Sequence, residues 1–214
     1  MNKRPVDVRV LLSLLALALL AGAIALVAVG SSASPKKSPA QQGNFDASGL
    51  LTPVAAAPPL ALRTYLGQPI NIDSYKGKVV LVTFLYTHCP DVCPLIASNL
   101  RVAENLMPAA VRSKVAIIVV SVDPKGDTPA AVAAFLEHHE LTGRAQYLIG
   151  SARELGPVWQ AWGVGSERDA AKPQFINHSG LVYGITGSGK RLTIYAANFQ
   201  PAEIAHDVPL LAVR

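Results

Sequence analysis

The sequence predicts an α/β domain, a layered sandwich with a mixed central sheet flanked by helices, carried behind an N-terminal transmembrane helix. Three observations predict it. Residues 78–86 (KVVLVTFLY) and 115–122 (VAIIVVSV) are nearly all-apolar, β-branched runs of strand length, as expected for central strands covered on both faces. Segments with helical spacing alternate with the strands, an order that stacks helices on a sheet. Residues 10–29 carry no charge and follow Lys3, Arg4 and Arg9, and twenty helical residues rise about 30 Å, roughly the hydrocarbon thickness of a bilayer.

Taken in order, residues 1–30 read as a single-pass anchor with the basic end in the cytoplasm, a cleaved signal segment being the alternative. Residues 31–59, rich in Ser, Pro, Ala and Gln, read as a flexible linker. The domain is expected over residues 60–214. After the first long strand, residues 94–107 place Leu95, Val102 and Leu106 at helical spacing behind Pro94, which suits a first helical turn. Pro94 also disfavours α geometry at Cys93, which places Cys93 at the N-cap. Residues 128–139 form the next helix, with Asp127 or Thr128 as cap and Pro129 entering. Residues 146–149 are a short strand, and 152–162 a helix broken or kinked at Gly156-Pro157. Residues 181–186 and 191–195 make a hairpin through Gly187-Ser188-Gly189-Lys190, and 201–211 close the chain as a helix.

The 214 residues allow one ordinary domain with something left over. Half are hydrophobic and only 15% are charged, with a mean hydropathy of +0.32, which excludes a disordered chain. The net charge of +5 suggests a nucleic-acid binder until it is located. Five basic residues and one acidic residue precede position 44, leaving 14 basic against 13 acidic in the remainder. The globular part is nearly neutral, so nucleic acid is not an expected partner.

Both cysteines lie in Thr87-His88-Cys89-Pro90-Asp91-Val92-Cys93-Pro94, at the C-terminal end of the first long strand. In open α/β sheets that edge is where ligands bind. A helix N-terminus there favours a thiolate. An exported domain meets an oxidising compartment, so a Cys89–Cys93 disulfide is one reading. So short a loop gains little as a structural staple, which points to reversible redox or metal chemistry. Zinc normally takes four ligands in a closed structural site, and no second cysteine pair exists. Two thiolates with one imidazole suit copper better, because soft sulfur ligands select Cu(I).

Five histidines are available. The His88 side chain is expected to point away from that of Cys89. His138 and His139 lie in a last helical turn, where capping is their natural role, and His206 is a surface or packing residue. His178, in Asn177-His178-Ser179, opens the hairpin; by itself it reads as hydrogen-bonded. Asp91 is a turn residue with Pro90, placed to steer a basic partner or raise a thiol pKa. Asp123-Pro124 and Asp127-Thr128-Pro129 read as loop and cap chemistry, and Trp159 and Trp162 as core.

Residues 83–94 (TFLYTHCPDVCP), then Ser121-Val122-Asp123-Pro124 with Asp127-Thr128, then Asn177-His178-Ser179 before a hairpin, resemble the Sco/SenC family of copper chaperones. The resemblance implies a thioredoxin-like fold on a membrane anchor, binding one copper through Cys89, Cys93 and His178. It further implies a role in assembling the copper site of cytochrome c oxidase. The implied partners are the oxidase's copper-bearing subunit, other periplasmic copper chaperones and thiol reductants. The alternative is a thiol-disulfide oxidoreductase in which Cys89 and Cys93 form the redox pair. The expected location is a bacterial inner membrane, with the C-terminal domain in the periplasm. Family members commonly carry Asp directly before the histidine, where this chain has Asn177. The loop ahead of His178 is also expected to be short.

Overall fold

A computed structural model describes residues 44–168, 176–178 and 180–214. The expected anchor at 1–30, the linker as far as residue 43, and the loop before His178 lie outside the described residues. Among the described residues no helix is long and apolar enough to cross a membrane.

The chain runs β1 (Gly49–Ala56), β2 (Ala61–Thr64), β3 (Pro69–Asn71), a 3-10 turn (Ile72–Tyr75), β4 (Val79–Leu85), α1 (Val92–Leu106), α2 (Ala109–Arg112), β5 (Val115–Ser121), α3 (Pro129–His138), β6 (Ala145–Ile149), α4 (Ala152–Trp162), β7 (Glu167–Arg168), β8 (Ile176–Asn177), β9 (Leu181–Ile185), β10 (Lys190–Ala196) and α5 (Pro201–Ala212). Among the described residues, eight strands form one sheet in the order β1-β10-β9-β4-β5-β6-β2-β3, and β7 pairs with β8 as a separate ribbon. Strands β4, β5 and β6 are mutually parallel, while β9, β10 and β1 on one side and β2 and β3 on the other pair antiparallel. The sheet is therefore mixed, as the element alternation predicts.

Every residue of β4 is buried, which explains a strand with no polar position except Thr83, whose hydroxyl donates to the Leu181 carbonyl at 2.9 Å. Fully burying a Val, Leu or Phe side chain contributes about 1.5–3 kcal/mol. The β4–β5 pair, in register from Val79↔Val115 to Leu85↔Ser121, is thus a rigid base whose C-terminal end carries the cysteine loop.

Three expectations are corrected. The linker is not a tether over its whole length: Gly49–Ala56 is strand β1, paired with β10, and Phe45 and Ala47 are buried. The fold starts some fifteen residues before Leu60 because backbone pairing to β10 orders a stretch that has no apolar alternation of its own. Helix α1 begins at Val92, not Pro94: the Asp91 side chain accepts from the Val92 N–H and takes the cap, placing Cys93 inside the first turn. Helix α4 is continuous through Pro157 rather than broken there, its start secured by a capping box between Ser151 and Glu154. The cap of α3 is Thr128, whose hydroxyl accepts from the Ala131 N–H.

Candidate metal centre

Strand β4 ends at Leu85, and residues 86–91 turn from the sheet edge into α1. The Cys89 N–H reaches back to the Tyr86 carbonyl at 3.3 Å, which curls the loop so that both cysteines face the same side. The Cys93 N–H, one of the amides a helix start leaves without an intrahelical partner, donates to the Cys89 sulfur at 3.4 Å. Cys93 is fully buried and Cys89 is 7% exposed. Both are free thiols.

His178 arrives from β8, 85 residues along the chain, and its Nε2 lies 3.6 Å from the Cys93 sulfur. The ligating atoms of Cys89, Cys93 and His178 all fall within 4.8 Å of one another. Tyr86 holds the imidazole in place. Its ring meets the His178 ring edge to face with centroids 5.6 Å apart, and its hydroxyl accepts from the Ile176 N–H at 3.3 Å. Tyr86 is a residue that sequence reasoning missed, although its position next to the cysteine loop at the end of an all-buried strand was a usable signal.

The electrostatics favour one thiolate shared by the pair. A hydrogen bond from Cys93 is the largest influence on Cys89. With further bonds from His178 and from the Asp91 and Cys93 amides, it outweighs burial and lowers the Cys89 thiol to about 4. Cys93 goes the other way: donating to the Cys89 thiolate and being deeply buried push its thiol far up. Burial raises the Tyr86 hydroxyl to about 12, which keeps it neutral beside the site.

The donor set fits a soft cation. A metal holding sulfur at ~2.3 Å and imidazole nitrogen at ~2.0 Å, with trigonal to tetrahedral angles, sets those atoms roughly 3.5–3.7 Å apart; the Cys93 to His178 separation is 3.6 Å. An open pocket of about 300 Å³, lined by Tyr86, Cys89, Pro90, Asp91, Val92, Ile176 and His178, gives access.

The remaining histidines stay outside this group. His88 is exposed and shares a hydrogen bond with the Thr87 hydroxyl at 3.0 Å. His139 is buried between Phe135 and the Ser98 hydroxyl, and that burial lowers its pKa. His206 sits 2.8 Å from an Asp207 oxygen and 3.4 Å from Asp46. Those three could meet one ion by distance alone, but the buried Asp207 carboxylate already accepts from the Asp46 and Ala47 amides and the Tyr195 hydroxyl. Asp127, expected as cap chemistry, instead accepts from the Thr87 N–H, the Ser121 hydroxyl and the Tyr147 hydroxyl. Trp162 is core as expected, and Trp159 donates to the Ser121 carbonyl at 2.9 Å.

The SCO1/SenC family model matches residues 53–212. The chain belongs to the SCO1/SenC family. Among relatives of this Sco protein, the mitochondrial SCO1 homolog of Mus musculus is 28% identical over 154 residues, covering 70% of this chain and 54% of the relative. The chain spans about half the length of that mouse protein and of its human counterpart. The SCO2-like protein RP587 of Rickettsia prowazekii is 29% identical over 195 residues, covering 88% of this chain and 90% of the relative. Among solved structures, Bradyrhizobium japonicum ScoI with copper bound is 30% identical, with a TM-score of 0.61 over 73% of this Sco chain and 99% of that one.

Proposed function

We propose that this chain is a copper-binding assembly factor: an exported domain, tethered to a bacterial inner membrane by residues 1–30 and facing the periplasm, that holds one copper ion through Cys89, Cys93 and His178 and helps build the copper site of cytochrome c oxidase. The observation that carries the reading is the convergence of two thiol sulfurs and one imidazole nitrogen within 4.8 Å, in an open pocket. Soft sulfur selects Cu(I) over the harder ions. A relative 30% identical over most of the described residues is solved with copper bound, and family membership supports the oxidase as the process served. Three ligands leave copper open to attack by a sulfur or imidazole of a receiving protein, so transfer proceeds by ligand exchange. The membrane-bound copper-bearing subunit is the recipient, and other periplasmic copper chaperones are the donors.

The test is titration of the reduced chain with Cu(I) against a competing chelator. Wild type takes up one equivalent, and Cys89→Ser, Cys93→Ser and His178→Ala each weaken binding by at least tenfold, since each removes a direct bond to the metal. A Cys→Ser variant that binds as tightly as wild type contradicts the reading.

A second reading, thiol-disulfide oxidoreductase, is favoured by the low pKa of Cys89 beside a second free thiol. The Cys89 thiolate attacks a partner disulfide and expels one partner sulfur as thiolate; Cys93 then gives up its proton and closes the Cys89–Cys93 bond, so that two electrons and the Cys93 proton pass to the partner's cysteines and water supplies the second proton. His178 is dispensable in that chemistry, so His178→Ala with full activity in cells selects this reading over copper binding.

A further inference from the structure

We propose that Asp127 is the positioning residue of the centre: its buried carboxylate ties the Cys89-bearing loop to the ends of the neighbouring strands and thereby fixes the two sulfurs relative to His178. The proposal deepens the metal-binding reading and rests on it.

The residue that follows Asp127 caps α3, since Thr128 accepts from the Ala131 N–H at 3.2 Å. The Asp127 side chain is therefore free for another task. One oxygen accepts from the Thr87 N–H at 2.8 Å. The other accepts from the Ser121 hydroxyl at 2.6 Å and the Tyr147 hydroxyl at 3.0 Å. Thr87 lies two residues past β4 and two before Cys89, Ser121 is the last residue of β5, and Tyr147 is in β6. A single carboxylate thus fastens three consecutive parallel strands at the edge where the sulfurs sit. Asp127 is 4% exposed, and bonds to an ionised acceptor in such surroundings are stronger than neutral ones.

The neighbouring backbone shows the same close seating. A Cβ on Gly126 would come within 2.3 Å of an Asp123 carboxylate oxygen and 3.3 Å of the His88 Nδ1. The 2.3 Å approach is within the 123–127 loop itself, and the His88 ring of the cysteine loop stands 3.3 Å from such a Cβ, so the two loops are closely seated at position 126. Of the three partners the Thr87 N–H can only donate, while the Ser121 and Tyr147 hydroxyls both donate to the same oxygen; an amide puts a donor in place of one acceptor, so either the Thr87 bond is lost or both hydroxyls must turn to accept instead. Groups that orient metal ligands without touching the metal typically change affinity by about 10–100-fold when altered.

The experiment uses the reduced full chain in detergent and compares wild type, Asp127→Asn, Tyr147→Phe and Asp207→Asn. Asp207→Asn is the control, because it removes another buried carboxylate with backbone and tyrosine donors, away from the cysteine loop. Three quantities are read: Cu(I) affinity by chelator competition, the thiolate-to-copper absorption band of the Cu(II)-loaded protein, and exchange of the Thr87 amide hydrogen in metal-free protein. Asp127→Asn is expected to bind about 10–100-fold more weakly, with a displaced band and faster Thr87 exchange. Tyr147→Phe, which keeps the carboxylate and removes one donor, moves all three in the same direction by less, and decides the matter if Asp127→Asn does not fold. Asp207→Asn lowers unfolding stability and leaves the three unchanged. The proposal is overturned if folded Asp127→Asn matches wild type, or if Asp207→Asn reproduces its losses. Wild type that takes up no copper overturns the function reading instead, and Thr87 exchange in metal-free protein still decides whether Asp127 holds the loop.

Discussion

The chemistry of the site is concentrated in the different fates of two cysteines four residues apart. Cys93 is enclosed and keeps its proton; Cys89, at the pocket, is the thiolate. A thiolate reacts with alkylating reagents and a thiol does not. In metal-free protein the alkylation rate of Cys89 therefore stays nearly level from about pH 8 to about pH 6 and declines only as pH approaches about 4, where the thiolate is protonated. Cys93→Ala removes the largest stabilising bond, so in that variant the rate begins to fall at a higher pH than in wild type. Mass spectrometry of quenched reactions reads both. A wild-type rate that falls tenfold per unit from pH 8 downward contradicts this assignment.

Among the elements, β1 and the arm preceding it depend on α5. The fully buried Asp207 accepts from the Asp46 and Ala47 amides and from Tyr195, and His206 adds a bond from the surface side. Asp207→Asn leaves buried donors facing an amide, and denaturant unfolding is expected to register a loss of about 2–3 kcal/mol. The His206 contribution depends on pH. Its bond to Asp207 raises its pKa above the unfolded value of 6.5, so the stabilisation is complete below about pH 6.5 and is lost as pH rises through the folded-state value. The stability difference between wild type and His206→Gln should shrink as pH rises above about 6.5. A difference that grows with pH contradicts the pairing.

On the scale of the whole molecule, the parts legible in the sequence are those whose information is local. The apolar runs became β4 and β5, Pro129 opened α3, and the Gly-rich turn after Ile185 joined β9 to β10. What escaped is non-local. Residues 49–56 have no alternation because their order comes from pairing with β10, some 140 residues later. Asp127 reads locally as a cap, while its partners stand 40 and 20 residues away. His178 reaches Cys93 only because β8 brings the start of the final hairpin back beside Tyr86. In the sequence it was nominated by family resemblance and by no pattern around it. The two cysteines alone announced themselves, through their place between a buried strand and the start of a helix.

X-ray absorption at the copper edge of the reduced full chain carrying one Cu(I) tests the central claim most directly. The account predicts two sulfur scatterers at about 2.2–2.3 Å and one nitrogen at about 2.0 Å, with the nitrogen lost in His178→Ala. A shell of nitrogen and oxygen alone, or a spectrum that His178→Ala leaves untouched, would contradict it.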